Sequence, residues 1–164
     1  MFASERLSVD HALESFDCGK PPLDRWLQQS AFEQAERKLS NTWVWTDGDL
    51  RVVAYFTLLG HSIQKDAVPS RVGRGGPGAI PAILLAKLAL DRSLHGQHLG
   101  SELLIDALSR CVAADDVGPG FKLVLVDAKD GEAESFYMKY DFKRVQPDSQ
   151  MLYRKMKDII HDIY

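Results

Sequence analysis

Hydrophobic and polar positions along the chain recur with two different periods. From Pro21 to about Lys38 the apolar residues Leu23, Trp26, Leu27, Ala31 and Phe32 return at helical spacing, with charge on the opposite side. This predicts an amphipathic helix opened by prolines and entered from a loop over Phe16–Lys20. Thr42–Thr46 and Arg51–Leu59 are rich in β-branched and aromatic residues and flank Asp47-Gly48-Asp49, which predicts a β-hairpin. Residues 60–78 hold five glycines and two prolines, so Ser62 to Gly78 reads as a long loop of the functional or mobile kind.

The run Ile80–Leu90 is apolar but ambiguous: Ala and Leu favour helix, while a continuous apolar stretch also suits a strand covered on both faces. We read it as a strand from about Ile83, because a glycine-bearing turn and a helix over roughly Gly100–Ala113 follow. That helix carries Leu103, Leu104, Ala107, Leu108 and Cys111 on one face. Phe121–Val126 reads as a second buried strand, Glu132–Lys139 as a short helix, and Phe142–Val145 with Met151–Lys155 as two strands joined by a Pro147-Asp148 turn. The tail from Lys157 to Tyr164 is a short amphipathic extension. Strand-helix-strand succession implies parallel neighbours and the hairpins antiparallel ones, which predicts an α/β (α+β) fold around a mixed sheet.

The 164 residues suffice for one ordinary domain with a full core, about 70% of the unfolded surface being buried at this length. A net charge of −3 argues against an indiscriminate polyanion binder. The charge is unevenly spread: −4 over residues 1–50, +4 over 51–100 and −3 over 101–164, with three of the five histidines in the middle block. Two cysteines, Cys18 and Cys111, fit a reducing compartment better than a disulfide framework. The N-terminus has no apolar core of signal-peptide length, and no apolar stretch is long enough to span a bilayer, so the expected location is cytoplasmic, with no membrane.

The segment 88–104 leads from a buried strand through a glycine-bearing turn into a helix. Backbone N–H groups from about Gly96 to Ser101 would then sit at the positive end of the helix dipole, where phosphate or pyrophosphate binds. The plainer reading is that Gly96 and Gly100 only shape a tight turn. The segment 128–142 carries Phe136-Tyr137 on the helix after the next strand. Together these segments resemble the GNAT superfamily of N-acetyltransferases. Asp17–Leu27, Arg51–Phe56, Lys87–Asp91 and Asp127–Asp130 are similar, more narrowly, to the GNAT toxins of bacterial toxin–antitoxin pairs.

The resemblance implies a GNAT fold over residues 1–164, with a central sheet of about six to seven strands and helices on both faces. It implies acetyl-CoA as acetyl donor, held by Leu88, Ala89, Leu90, His95, Gly96, Gln97, His98, Leu99, Gly100, Ser101 and Phe136. Tyr137 is then the acid that protonates the departing thiolate, and no metal takes part. The substrate would be the α-amino group of aminoacyl-tRNA, with Arg71, Arg74 and Arg92 as the foremost cations for the RNA beside Arg25, Arg37 and Lys38. A ribbon-helix-helix antitoxin and a second copy of the chain would be its protein partners. Glu33, Glu36 and Asp91 are unranked candidates for a base. Alternatives are a GNAT acting on a small amine or a protein N-terminus, or a non-catalytic CoA-binding module. Four positions depart from the family pattern: His95 replaces Gln or Arg, His98 replaces the first Gly of the loop, Asp141 replaces a Gly before Phe142, and Asp130 stands where many members have Asn. A side chain at position 98 is expected to fit only where φ need not be positive.

Overall fold

The computed structural model describes residues 2–76 and 78–164. Among them a mixed sheet of seven strands runs in the order β1-β2-β3-β4-β5-β7-β6: β1 Glu5–Arg6, β2 Asn41–Thr46, β3 Val52–Gln64, β4 Ala79–Leu90, β5 Leu123–Asp127, β6 Lys143–Arg144 and β7 Met151–Lys155. Pairing is antiparallel for β1–β2, β2–β3, β5–β7 and β6–β7, and parallel for β4–β5. The helices are α1 Pro21–Gln29, α2 Ala31–Glu36, α3 Ser70–Gly73, α4 Leu99–Val117, α5 Gly131–Lys139 and α6 Met156–Ile163. The described residues cluster into two compact units, those up to Leu59 with Ala86–Leu108, and those of 60–85 with Ser109–Tyr164.

In the first unit the hairpin is as its β-branched and aromatic content predicts, with Asp47 and Arg51 clasping its turn: the Arg51 Nε–H donates to Asp47 Oδ2 at 2.9 Å. The single helix expected from Pro21 to Lys38 is two. Ser30 leaves helical geometry at φ −126°, ψ −31°, and serine is a weak interior helix residue because it competes for backbone groups. Leu27 and Ala31 on either side are both fully buried, in a core with Phe16, Val44, Val52 and Tyr55. At the other end Lys38 takes φ +62°; its N–H donates to the Ala35 carbonyl and that of Leu39 to the Gln34 carbonyl. Lys38 is thus the left-handed cap of α2 rather than a helical residue.

In the second unit the long loop expected from Ser62 to Gly78 is largely ordered structure. β3 runs on to Gln64, a 3-10 turn covers Lys65–Ala67, and α3 buries Val72 against Val68 and Ile80. Pro77, part of that expected loop, lies outside the described residues. β4 begins at Ala79, four residues before the expected Ile83, and the propensity of Ala and Leu for helix is overridden by parallel pairing. Four pairs join it to β5, from Ala82↔Leu123 to Leu85↔Val126, and β4 itself continues to Leu90. The amphipathic tail is α6, which buries Met156 and Ile159. No helix among the described residues is long and apolar enough to cross a membrane.

Candidate active site

The turn after β4 is built on Asp91. Its backbone N–H donates to the Val53 carbonyl at 2.8 Å. Its carboxylate accepts from the Asp17 N–H at 2.9 Å, the Ser93 N–H at 3.0 Å and the Ser93 hydroxyl at 2.7 Å. Burial, at 5% exposure, works to raise its pKa, but these donors and the charge of Arg51 outweigh burial and hold it below the ordinary carboxylate value. Asp91 is therefore a fastening between the 16–20 loop and the turn, and its candidacy as a general base falls. Glu33 is exposed and pairs with Arg37 at 3.7 Å, and Glu36 is an exposed residue at the end of α2.

From Asp91 a 3-10 turn over Arg92–Leu94 leads to Gly96 at φ +78° and His98 at φ +60°, and α4 starts at Leu99. The turn's side chains bend back on their own backbone. His95 Nε2–H donates to the Leu90 carbonyl at 2.7 Å, Gln97 to the Ser93 carbonyl at 3.2 Å, and the Ser101 hydroxyl to the His98 carbonyl at 2.9 Å. His95 is thus engaged by the end of β4 rather than standing free for a phosphate. The first N–H groups of the 19-residue α4 have no acceptor within their own helix and lie at its positive end. The expectation that position 98 avoids positive φ is not met: His98 occupies the left-handed region itself, where His, with Asn and Asp, is enriched among non-glycine residues. Leu88 and Leu90 are half-buried and Ala89 buried, all in the stretch of β4 past its last pair with β5. Gly100 falls in the first turn of α4.

Helix α5 carries the aromatic pair. Asp130 caps it, accepting the Ala133 N–H at 2.7 Å. Its far end closes on Asp141 at φ +70°: the Asp141 N–H donates to the Met138 carbonyl and the Phe142 N–H to the Tyr137 carbonyl, at 3.2 Å each. This double bond pattern is a Schellman cap, whose usual companion is an apolar contact between the residues it joins. Here that contact is the Tyr137 ring edge-on to Phe142, centroids 5.5 Å apart, with Phe136 5.3 Å from Tyr137 and from Tyr140. Tyr137 is only 8% exposed, and burial pushes its phenol pKa upward. No hydrogen bond from its hydroxyl is found among the described residues, so the proton is available to a bound molecule.

Of the cations foreseen for RNA, Arg71 on α3 and Arg74 just after it are exposed in the second unit. Arg92 belongs to the first, where its Nε lies 3.2 Å from Asp17 Oδ1. Arg25 is exposed on α1. Both cysteines are free and buried, their thiols pushed by burial to about 11 for Cys18 and about 12 for Cys111. Among the described residues no group of three or more His, Cys, Asp or Glu is placed to hold a metal ion.

No family model matches the chain. A search of curated proteins finds a tRNA-acetylating toxin of Mycobacterium tuberculosis, 40% identical over 157 residues that span 95% of this chain and 93% of the relative. The chain belongs to the family of tRNA-acetylating toxins. Two solved structures of a similar toxin, AtaT, share its fold. AtaT complexed with acetyl-methionyl-tRNAfMet superimposes with a TM-score of 0.90 at 26% identity over the whole of both chains. A mutant AtaT bound to the C-terminus of the antitoxin AtaR and acetyl-CoA does so with a TM-score of 0.82 at 26% identity, covering 96% of this chain and 95% of that one. In this chain His98 and Asp141, which stand where the family pattern has glycine, both have positive φ.

Proposed function

We propose that residues 1–164 form one acetyltransferase domain that moves the acetyl group of acetyl-CoA to the α-amino group of an aminoacyl-tRNA, and so removes that tRNA from translation. Acetyl-CoA supplies a thioester carbonyl as the electrophile. The backbone N–H groups opening α4, shaped by Gly96, His98 and Gly100, are assigned to its pyrophosphate. The edge of β4 from Ala86 to Leu90 is assigned to the pantetheine arm, and the Leu90 N–H to the oxyanion. His95 and Val53 hold the peptide group after Leu90 from both sides, one at its carbonyl and one at its N–H, which keeps that edge from turning.

The observation that carries the reading is the Tyr137 hydroxyl: a buried phenol with raised pKa and no protein partner is a proton held for a leaving group. Tyr137 gives that proton to the departing CoA thiolate and regains one from the acylated nitrogen as the amide forms. An α-amine titrates near pH ~8 and is partly neutral at cellular pH, so the reaction does not call on Asp91, whose carboxylate is already engaged. The protein acts in the cytoplasm, where charged tRNA and acetyl-CoA meet, as a homodimer restrained by a ribbon-helix-helix antitoxin. Expression without that antitoxin is expected to arrest growth, and Tyr137→Phe to relieve it while acetyl-CoA still binds in calorimetry. Undiminished arrest by the phenylalanine variant removes Tyr137 from the mechanism, and failure of the wild-type protein to bind acetyl-CoA removes the enzyme reading.

A further inference from the structure

A concavity of about 400 Å³ in the second unit is lined by Arg71 of α3, Phe121 and Lys122 ahead of β5, Lys155 at the end of β7, and Lys157 of α6. We propose that this cleft binds the phosphodiester backbone of the tRNA substrate; the inference rests on the function proposed above and adds an RNA-anchoring surface to it.

Four cations face a single carboxylate, Asp115, and that carboxylate is already used: its Oδ1 accepts the Phe121 N–H at 2.8 Å. No ion pair to Arg71, Lys122, Lys155 or Lys157 is found among the described residues. Elsewhere in the same unit two cations are matched, Arg144 by Glu134 and Arg154 by Asp162. A chain of net charge −3 has carboxylates to spare, so leaving four cations unmatched in one concavity concentrates positive potential that a polyanion would relieve.

The cations arrive from three separate segments rather than along one helix face, which separates them from an ordinary solvated charge run. Two of these segments are tied in place. The Lys122 N–H donates to the Pro81 carbonyl at 2.9 Å, and the Lys122 carbonyl accepts the Met156 N–H at 2.8 Å, so Lys122 sits beside the junction where Lys155 and Lys157 flank buried Met156. Arg71 precedes Val72, which is fully buried in the unit's core. The ligand is a chain of phosphates rather than a single one, because each phosphodiester carries one negative charge and four cations line the cleft. Arg71 and Lys155 also line a second concavity of about 330 Å³, but there Lys143 and Arg154 are accompanied by Asp141, Asp158 and Asp162, so the unmatched charge belongs to the first. Half-buried Phe121 and Ile160 add apolar surface against which ribose or a lysine stem can lie.

The test uses the full chain with fluorescein-labelled uncharged tRNA, measuring anisotropy across a salt series. The triple variant Lys122→Gln, Lys155→Gln, Lys157→Gln is expected to lose at least about tenfold in affinity at 0.1 M salt and to shed roughly three from the slope of log K against log salt. The KM for charged tRNA rises accordingly, while kcat for an α-amino ester carrying no RNA stays within about twofold, as expected of lost phosphate contacts. Replacing the same three lysines with arginine restores the slope, and matching thermal midpoints exclude a folding defect. A glutamine variant that keeps the wild-type slope and KM overturns the proposal, and so does one that loses only antitoxin binding. Failure of the proposed substrate looks different: the wild-type protein would then acetylate the ester and no charged tRNA.

Discussion

Asp141→Gly is expected to make the protein more stable. Asp141 sits at φ +70° in the cap that ends α5, a region where a Cβ crowds the backbone. Aspartate is among the more tolerant residues there, so relief of this strain is worth about 0.5–1 kcal/mol after the extra freedom that glycine gains in the unfolded chain. A negative charge next to a helix C-terminus adds a smaller unfavourable interaction, on the order of 0.3 kcal/mol at an exposed site. The nearby cations Lys143 and Arg154 of the adjoining cleft offset part of that. The net expectation is about 1 kcal/mol, which for a domain of this size corresponds to a rise of roughly 2–4 °C in thermal midpoint. Differential scanning calorimetry of wild type, Asp141→Gly and Asp141→Ala separates the two contributions, because alanine removes the charge and keeps the Cβ. Only the glycine variant should gain the full amount. Equal or lower stability for glycine refutes the assignment of Asp141 as a strained left-handed cap. Acetyl transfer should be unchanged in the glycine variant, since the bonds from Asp141 and Phe142 that seat Tyr137 come from backbone N–H groups.

The same reasoning applies to His98: at φ +60°, His98→Gly should stabilise by about 0.5–1 kcal/mol in chemical denaturation without weakening acetyl-CoA binding in calorimetry. A tenfold loss of binding would show instead that the imidazole is itself a ligand. Asp91→Ala should cost roughly 3 kcal/mol in urea unfolding at pH 7, because three donors lose a buried charged acceptor. Since the folded-state pKa of Asp91 is depressed, the stability it contributes is complete above its ordinary value of 3.8 and is lost as pH falls through the lower folded value. The gap between variant and wild type should therefore close in strong acid; a gap that persists there assigns the loss to packing. His95→Ala should lower kcat while His95→Gln largely restores it, glutamine keeping a donor for the Leu90 carbonyl. If neither variant differs from wild type in kcat, the clasp has no part in holding the β4 edge.

Much of the fold is legible in the hydrophobic pattern, and the misreadings have local causes. The hairpin follows from its β-branched and aromatic content around Asp47-Gly48-Asp49, α4 from its 3.6-residue periodicity, and the parallel β4–β5 pair from two apolar runs with a helix between them. The break at Ser30 does not, because Leu27 and Ala31 keep their helical spacing across it. The 62–78 segment reads as loop from its glycines and prolines, yet Val68 and Val72 are buried core residues flanking Pro69, and two such isolated positions make no visible period. At the site, the sequence points to the turn, to Phe136-Tyr137 and to the departures from the family's pattern. It leaves open that Asp91 is spent on Asp17 and Ser93, a contact spanning 74 residues along the chain. It also hides the basic cleft: Arg71, Lys122 and Lys155 are far apart in sequence and are brought to one concavity only by the sheet and α6.

The most direct measurement is transfer of labelled acetyl from acetyl-CoA to total charged tRNA with small primary amines present in competition. The account predicts label on the tRNA fraction, released by mild alkali as N-acetyl amino acid, and a sharp fall in that signal with Tyr137→Phe. Label confined to the small amines, with none released from tRNA, would contradict it.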